Sequence, residues 1–196
     1  MTLHIRSLVM FLLVPGCLWS SAVAQVVVRG QTVYTMTGRT INDGVVIIRN
    51  GKITAVGPAD EVHVPPGYNV LQAKVVTPGL IDAHCTVGIS GIFNYDHDQD
   101  QLERSVPIQP ELRAVDAYNA HEPLVEWVRS LGVTTIHTGH APGELISGQT
   151  MIVKTSGNTV EEAQLVATHS VAATLTAGAR KSAAASPGTR GKMISM

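Results

Sequence analysis

The sequence pattern changes near residue 74, and this change limits the folds open to the chain more than any other feature. Residues 25–73 contain short runs of β-branched residues, and Asn50-Gly51 lies between two of these runs. Asn-Gly between apolar runs is a strong hairpin signal, because a type I′ turn needs positive φ at both central residues. Residues 25–73 are therefore predicted to form an N-terminal β-subdomain, part of a β-sandwich.

From residue 74 to residue 196, strand-like and helix-like segments alternate. The Thr159 hydroxyl and Glu162, three residues later, form a capping box, so a helix is predicted to begin there. The other predicted elements are a strand over 74–84 interrupted at Pro78-Gly79, helices over 110–120 and 123–131, and strands over 133–137 and 149–155. This alternation favours an α/β fold with parallel strands.

The first 24 residues have the pattern of a secretory signal peptide. Arg6 gives a short polar start, residues 8–14 are apolar, and Ala22-Val23-Ala24 is a cleavage pattern. We expect cleavage after Ala24 and an exported protein, periplasmic or extracellular, without membrane attachment. The alternatives are a buried N-terminal helix, or a lipoprotein acylated at Cys17, which the proline two residues earlier disfavours.

Charge and cysteine content argue against a nucleic-acid-binding protein that relies on bulk positive charge and against a disulfide-rich scaffold. The chain has 14 basic and 15 acidic residues, so it lacks the excess of positive charge with which many proteins bind nucleic acid. Cys85 would be the sole cysteine after cleavage, which excludes an intramolecular disulfide.

Residues 76–84 carry the most chemical information, because an apolar strand ends there in Asp82 and His84. The carboxyl ends of parallel strands form the active-site face of an α/β barrel. Alternate residues of a strand share a side, which groups Asp82, His84 and Thr86. A neutral imidazole at this position can bind a divalent metal, although a structural role for His84 is the alternative.

These residues resemble the amidohydrolase superfamily, whose first barrel strand carries the signature P-G-[LF]-I-D-x-H-x-H. Residues 44–57 look like the small β-domain of those enzymes, and residues 131–136 resemble their second barrel strand. Ile146-Ser147-Gly148-Gln149 followed by Lys154 looks like the imidazolonepropionase-related branch. The resemblance covers residues 26–155. It implies a distorted (β/α)8 barrel and a metal-dependent hydrolase of carbon–nitrogen bonds other than peptide bonds.

The resemblance implies that His84 is a metal ligand, supported by Asp82, with zinc as the first candidate. Thr86 stands where the family has its second histidine, and a neutral hydroxyl is a poor zinc ligand. The metal site is therefore altered or lost. The alternative function is a non-catalytic binding module with the amidohydrolase fold.

Length is the second departure from the family. Residues 74–196 are far fewer than the roughly 250 that a complete barrel needs, so only its first strands fit. We expect an N-terminal fragment that is inactive in isolation, with enzyme status belonging to the full-length form. The later ligands, the general base, the small-molecule substrate with its amide or related C–N bond, and the oligomeric state stay open.

Several other residues are weaker candidates. His137 and His140 lie at and just beyond the second barrel strand, where they could contact substrate or metal, or could be ordinary loop histidines. Residues 96–100 are acidic but lack the spacing of a calcium loop. Cys85 and His84 are adjacent on a strand and point to opposite faces, which disfavours a nucleophile pair. Lys154 is interpreted as a strand-end or substrate-side residue.

Overall fold

The computed structural model describes residues 25–182 and 185–196. The chain forms two compact units, which meet in the sequence between Pro78 and Gly79. The predicted signal peptide, residues 1–24, lies outside the described residues. In the described ranges, no helix combines the length and the apolar character needed to cross a membrane.

The first unit is a four-stranded sheet with the strand order β3-β2-β1-β4. Its strands are β1 (Val26–Val33), β2 (Ile41–Arg49), β3 (Lys52–Pro58) and β4 (Asn69–Val76). Strand β2 pairs antiparallel with β1 and β3, whereas β4 pairs parallel with β1.

The predicted hairpin between β2 and β3 is confirmed. Asn50 and Gly51 have φ values of 53° and 69°, as a type I′ turn requires. Strand pairing continues from this turn through Arg49 opposite Lys52. The local sequence therefore determines the register next to the turn, and an irregularity between Ile47 and Ile48 shifts the pairing beyond it.

One face of the first sheet carries its core. Val27, Val45 and Ile47 are buried together, and partly buried residues from 55 to 68 pack against them. The edge strand β4 is different, since seven of its eight residues are exposed. Apolar side chains of β4 thus lie outside the core of this unit.

The second unit contains a mixed sheet, a two-stranded sheet and short helices. Its strands are β5 (Leu80–Cys85), β6 (Val133–Thr138), β7 (Ile146–Gln149), β8 (Met151–Lys154), β9 (Gln164–Val166) and β10 (Val171–Ala173). Its α-helices are α1 (Ala114–Ala117), α2 (Pro123–Ser130), α3 (Val160–Ala163) and α4 (Arg190–Ile194). Short 3-10 turns cover Asp96–Asp98 and Ala177–Ala179.

The prediction of parallel strands holds for one pair of the second unit. The mixed sheet has the order β5-β6-β8-β9, in which β5 and β6 are parallel and the remaining pairs are antiparallel. Strand β7 pairs antiparallel with β10 in a separate sheet. Between β6 and β8 the chain forms no helix and contains the short strand β7, which pairs in the other sheet, and β8 runs antiparallel to β6. The fold is mixed α/β, with mostly strands and few helices.

Other predicted elements differ in extent. The strand predicted over 149–155 is divided at Thr150, between β7 and β8. The predicted strand over 74–84 is interrupted at Pro78-Gly79, and its two parts belong to different sheets. The segment 110–120, which has helical composition, forms only the four residues of α1.

Helix α2 has the predicted start and end. Pro123 occupies the first turn, and the Glu122 carboxylate accepts the Leu124 N–H as a cap. The same carboxylate accepts the Ile92 N–H at 2.9 Å, which ties a distant loop to the helix. Gly132, with φ of 93°, follows the last turn.

The core of the second unit lies beneath the mixed sheet. Its buried members are Ile89, Ala114, Tyr118, Val125, Ile136, Met151, Val153 and Ala163. Tyr118 also packs against Gly88, where a Cβ would lie 2.2 Å from the ring. Its buried hydroxyl has no hydrogen-bond partner in the described chain, and burial, with a smaller effect of Cys85, raises the pKa of Tyr118 to about 12.

Candidate functional site

His84 lies near the carboxyl end of β5 with an exposed side chain. Pairing between β5 and β6 becomes irregular between Asp82 and Cys85, so the strand end departs from regular geometry. The Asp82 carboxylate accepts the backbone N–H of His84 at 3.1 Å. Asp82 therefore stabilises the backbone that carries His84.

Thr86 belongs to a turn beyond the strand. Its hydroxyl lies 2.8 Å from the Ser90 hydroxyl, and its carbonyl accepts the N–H groups of Ile89 and Ser90. The residue that replaces the family's second histidine thus has a structural role of its own. This contact supplies a reason for a hydroxyl at this position.

His137, on β6, is held by both ring nitrogens. Its Nδ1 lies 2.8 Å from the Ala83 carbonyl, and its Nε2 lies 2.7 Å from the Thr150 hydroxyl. A carbonyl can only accept, so Nδ1 carries the proton, and Nε2 of the neutral ring accepts from Thr150. The Ser170 hydroxyl lies 2.7 Å from that of Thr150 and extends the chain of hydrogen bonds.

His140 has the opposite environment, because it is buried without partners. It is 5% exposed, and neither ring nitrogen has a hydrogen-bond partner in the described chain. Burial lowers the pKa of His140, and a contact with the Leu112 backbone, too poor in geometry to count as a hydrogen bond, offsets part of this effect. Gly148 has φ of 132°, and a Cβ there would lie 2.5 Å from His140 Nε2. Glycine at 148 thus leaves room for the ring.

These histidines border a cavity of about 320 Å³, which we call the histidine cavity. Its lining residues are His84, His137, His140, Ala141, Pro142, Thr150, Ser170, Ala172, Ala173 and Thr174. The ring centroids of His84 and His137 are 5.8 Å apart. Among the residues that the structure describes, no Asp, Glu, Lys or Arg side chain lines this cavity, and its polar side chains are imidazoles and hydroxyls.

The sequence-predicted residues are only partly brought together. His84, His137 and His140 all line the histidine cavity, whereas Asp82 and Thr86 make the local contacts described above. Thr150, Ser170 and Thr174 were missed, because their positions depend on how β8 and β10 pair. The polar residues Gln149 and Thr150, directly before the apolar run Met151–Val153, were the available signal for the first of them.

The described residues do not fit a complete metal site. Within residues 25–182 and 185–196, no three side chains of His, Cys, Asp or Glu are grouped so that they could hold a metal ion. Both ring nitrogens of His137 are already engaged. His84 has the exposed ring that one ligand requires, but zinc sites use at least three protein ligands.

Three weaker candidates have other environments. Burial raises the pKa of the Cys85 thiol, which disfavours the reactive thiolate. The Lys154 ammonium donates to the Thr135 hydroxyl at 3.2 Å. In the acidic segment, a carboxylate oxygen of Asp98 accepts the side-chain N–H of Gln99 at 2.8 Å.

Comparison with known proteins gives the relationship of this fold. No protein-family model matches the chain. The chain is 27% identical over 114 residues to "Amidohydrolase tasK" of Hapsidospora irregularis. The matched segment covers 57% of this chain and 12% of that protein. The structure of an amidohydrolase from Thermotoga maritima matches with a TM-score of 0.78 at 23% identity, over 87% of this chain and 45% of that one.

The Thermotoga match shows that this chain shares the fold of part of an amidohydrolase. The chain spans less than half the length of either protein. A cavity lined by three histidines therefore lies within that shared fold.

Proposed function

We propose that the chain is part of a metal-dependent hydrolase of the amidohydrolase superfamily, which cleaves carbon–nitrogen bonds other than peptide bonds in small molecules. The observation that carries this proposal is the histidine cavity beside the parallel pair β5 and β6, within a fold shared with the Thermotoga amidohydrolase. Active sites of such barrels form where parallel strands end. The names of both similar proteins support the same reaction class.

The proposal gives different roles to His84 and His137, which lie near the carboxyl ends of β5 and β6. His84 offers a metal ligand, because its ring is exposed beside the cavity. His137 positions the wall of the site, because its hydrogen bonds join the end of β5 to Thr150. The other ligands and the group that accepts the proton of water would have to come from outside the described residues.

Three finer parts of the proposal rest on sequence. The segment 146–149 with Lys154 supports the imidazolonepropionase-related branch. The pattern of residues 1–24 supports export. Mass spectrometry of the protein secreted by a bacterial host tests export, with Gln25 as the expected first residue. Retention of residues 1–24 would contradict it, and a lipid on Cys17 would favour the lipoprotein alternative.

A second candidate function is a binding module that has lost the metal. Two observations favour it: the Thr86 hydroxyl is engaged with Ser90, and His137 has no free ring nitrogen. In this alternative the histidine cavity still binds a small molecule, but no hydrolysis follows.

Metal content distinguishes the two candidates. We would express the complete reading frame, purify the protein without added chelator and measure zinc and iron by mass spectrometry. A hydrolase should carry about one metal per chain, and His84→Ala should remove most of it. His121→Ala is the matched control, since His121 is exposed and does not line the cavity. A metal-free wild type, or equal metal content in His84→Ala, would contradict the hydrolase proposal.

The 196-residue chain by itself should neither retain stoichiometric zinc nor turn over substrate. The reason is that the described residues provide His84 but no group of three ligands. Dialysis against micromolar zinc, followed by metal analysis and an assay with N-acyl amino acids, cyclic amides and dipeptides, tests this. Metal-dependent hydrolysis by the chain would contradict the proposal that the other metal ligands come from outside the described residues.

A further inference from the structure

We propose that the loop over residues 92–100, together with a second cavity that this loop helps to line, binds an arginine side chain of a partner polypeptide. The loop contains the acidic segment 96–100, which the proposed function does not use. Binding there needs neither the histidine cavity nor a metal, so the inference is independent of the hydrolase proposal.

Three aromatic side chains form a row on the surface of this loop. Phe93 and Tyr95 are 66% and 56% exposed, and His97 is exposed as well. The rings of Tyr95 and His97 stack with centroids 5.6 Å apart and an angle of 15° between their planes. The Phe93 centroid lies 5.8 Å from that of Tyr95. Exposed apolar groups that adjoin one another mark interaction sites, and aromatic faces attract guanidinium and ammonium groups.

A cavity of about 350 Å³ begins where this row ends, because His97 also lines it. We call it the acidic cavity. Its charged lining consists of Asp98, Asp100 and Glu122, and no Lys or Arg side chain of the described residues lines it. Three carboxylates without a cation in the lining make this cavity complementary to a positively charged group.

Glu122 is the most buried of the three carboxylates, at 8% exposed. Its Oε1 accepts the N–H groups of Ile92 and Leu124 at 2.9 and 3.4 Å. Its Oε2 accepts no hydrogen bond from the described residues and is not fully enclosed. Hydrogen bonds to an ionised carboxylate are strong, so this oxygen offers a ligand a fixed acceptor.

Asp98 is also held in place before any ligand arrives. Its Oδ1 accepts the Gln99 side-chain N–H at 2.8 Å, and its carbonyl accepts the Gly91 N–H at 2.8 Å. Gly91 lines the acidic cavity too, and a Cβ at that position would clash with the Asp98 carboxylate. Glycine therefore leaves room for this carboxylate at the cavity wall.

The chemistry favours a guanidinium over a metal ion or an ammonium group. In the part of the chain that the structure describes, no three His, Cys, Asp or Glu side chains are grouped so that they could hold a metal ion. A guanidinium has five N–H donors in one plane, so it can donate to separate carboxylates and stack on a ring such as His97. An ammonium has the charge but no plane to stack.

The aromatic row indicates that the arginine belongs to a polypeptide. Phe93 and Tyr95 lie outside the lining of the acidic cavity, where they can contact the residues that flank the arginine. Free arginine would use the cavity and leave these two rings exposed. The expected partner is thus a protein segment with an exposed arginine.

The test is a nuclear magnetic resonance titration of the 196-residue chain, with backbone amide shifts as the readout. The probe is the peptide acetyl-Ala-Arg-Ala-amide. Its comparison peptides have citrulline, which keeps the shape without the charge, or lysine in place of arginine. We expect saturable shifts in residues 91–100 and at Glu122, with at least tenfold weaker binding of the citrulline peptide and at least threefold weaker binding of the lysine peptide. Equal binding of the arginine peptide and either comparison peptide, or no saturable shift in this loop, would overturn the proposal.

Variants at exposed positions test the site without removing the cap of helix α2. Asp100→Asn removes one charge of the acidic cavity, and Tyr95→Ala interrupts the aromatic row. We expect each variant to bind the arginine peptide at least fivefold more weakly. Asp60→Asn removes the same charge at an exposed position of the first unit and should bind as the wild type does. Wild-type binding by folded Asp100→Asn and Tyr95→Ala would also overturn the proposal.

Discussion

Replacement of Thr150 by valine removes the hydroxyl that joins His137 to Ser170. Thr150 is 2% exposed, and its hydroxyl lies 2.7 Å from both His137 Nε2 and the Ser170 hydroxyl. Each net hydrogen bond contributes about 0.5–1.5 kcal/mol, and a buried partner left unsatisfied costs about 1–3 kcal/mol. We therefore expect Thr150→Val to lower the free energy of unfolding of this unit by about 2–4 kcal/mol.

Urea unfolding followed by circular dichroism measures this loss. Thr150→Ser, which keeps the hydroxyl, should recover most of the stability. Thr168→Val is the matched control, because Thr168 is exposed and, within the described part of the chain, its hydroxyl bonds to the Gln149 side chain alone, at 3.1 Å. That variant should change stability by less than about 0.5 kcal/mol.

The same substitution should change the environment of one ring nitrogen of His137. With Thr150→Val, Nε2 loses its donor while the Ala83 carbonyl still accepts from Nδ1, so the Nε2 ¹⁵N shift should change and the Nδ1–H tautomer should persist. Adding Ser170→Ala to Thr150→Val should cost little more, because both changes break one network. If Thr150→Val is no more destabilising than Thr168→Val and the His137 Nε2 shift is unchanged, the assigned network is wrong.

Three further predictions concern the same unit. Gly88→Ala should destabilise by about 2–4 kcal/mol in urea unfolding, because φ is 88° and the new Cβ would clash with the Tyr118 ring; wild-type stability in this variant would contradict that contact. The lowered pKa of His140 gives stability that is present above about pH 6.5 and is lost as the pH falls toward the folded-state pKa. The urea midpoint should therefore decrease as the pH falls below about 6.5, and His140→Gln should make this decrease smaller. An equal pH dependence of the midpoint in both proteins would refute it. Lys181→Met should lower the free energy of unfolding by about 3–5 kcal/mol, because it leaves the buried Glu144 carboxylate without its ion-pair partner. Adding Glu144→Gln to this variant should restore part of the loss, as measured by thermal unfolding. No loss in the single variant would show that the pair is not formed.

Local signals predicted local structure well. Neighbouring residues determine three features that the sequence predicted: the Asn50-Gly51 turn, the start of helix α2 at Pro123 and the Thr159 cap of α3. The partners of each strand could not be predicted in this way. The direction of β8 depends on the path of residues 139–150, which include β7, and periodicity carries no information about that path.

The candidate site also combines residues that the sequence predicted with contacts that it could not predict. The end of an apolar strand pointed to His84, and the next strand pointed to His137 and His140. The sequence could not distinguish the last two, since the engagement of His137 depends on Ala83 and Thr150, which are distant in the chain. The burial of His140 likewise depends on how closely Gly148 approaches it.

The hydrolase proposal is tested most directly by steady-state hydrolysis of a small-amide panel by protein from the complete reading frame, wild type against His84→Ala. We expect metal-dependent hydrolysis by the wild type that chelation abolishes, and a loss of at least 100-fold (about 2.7 kcal/mol) in His84→Ala with His121→Ala unchanged. Hydrolysis that is the same in wild type and His84→Ala, or none in a folded wild type supplied with zinc, would contradict the role of His84 and favour the binding module.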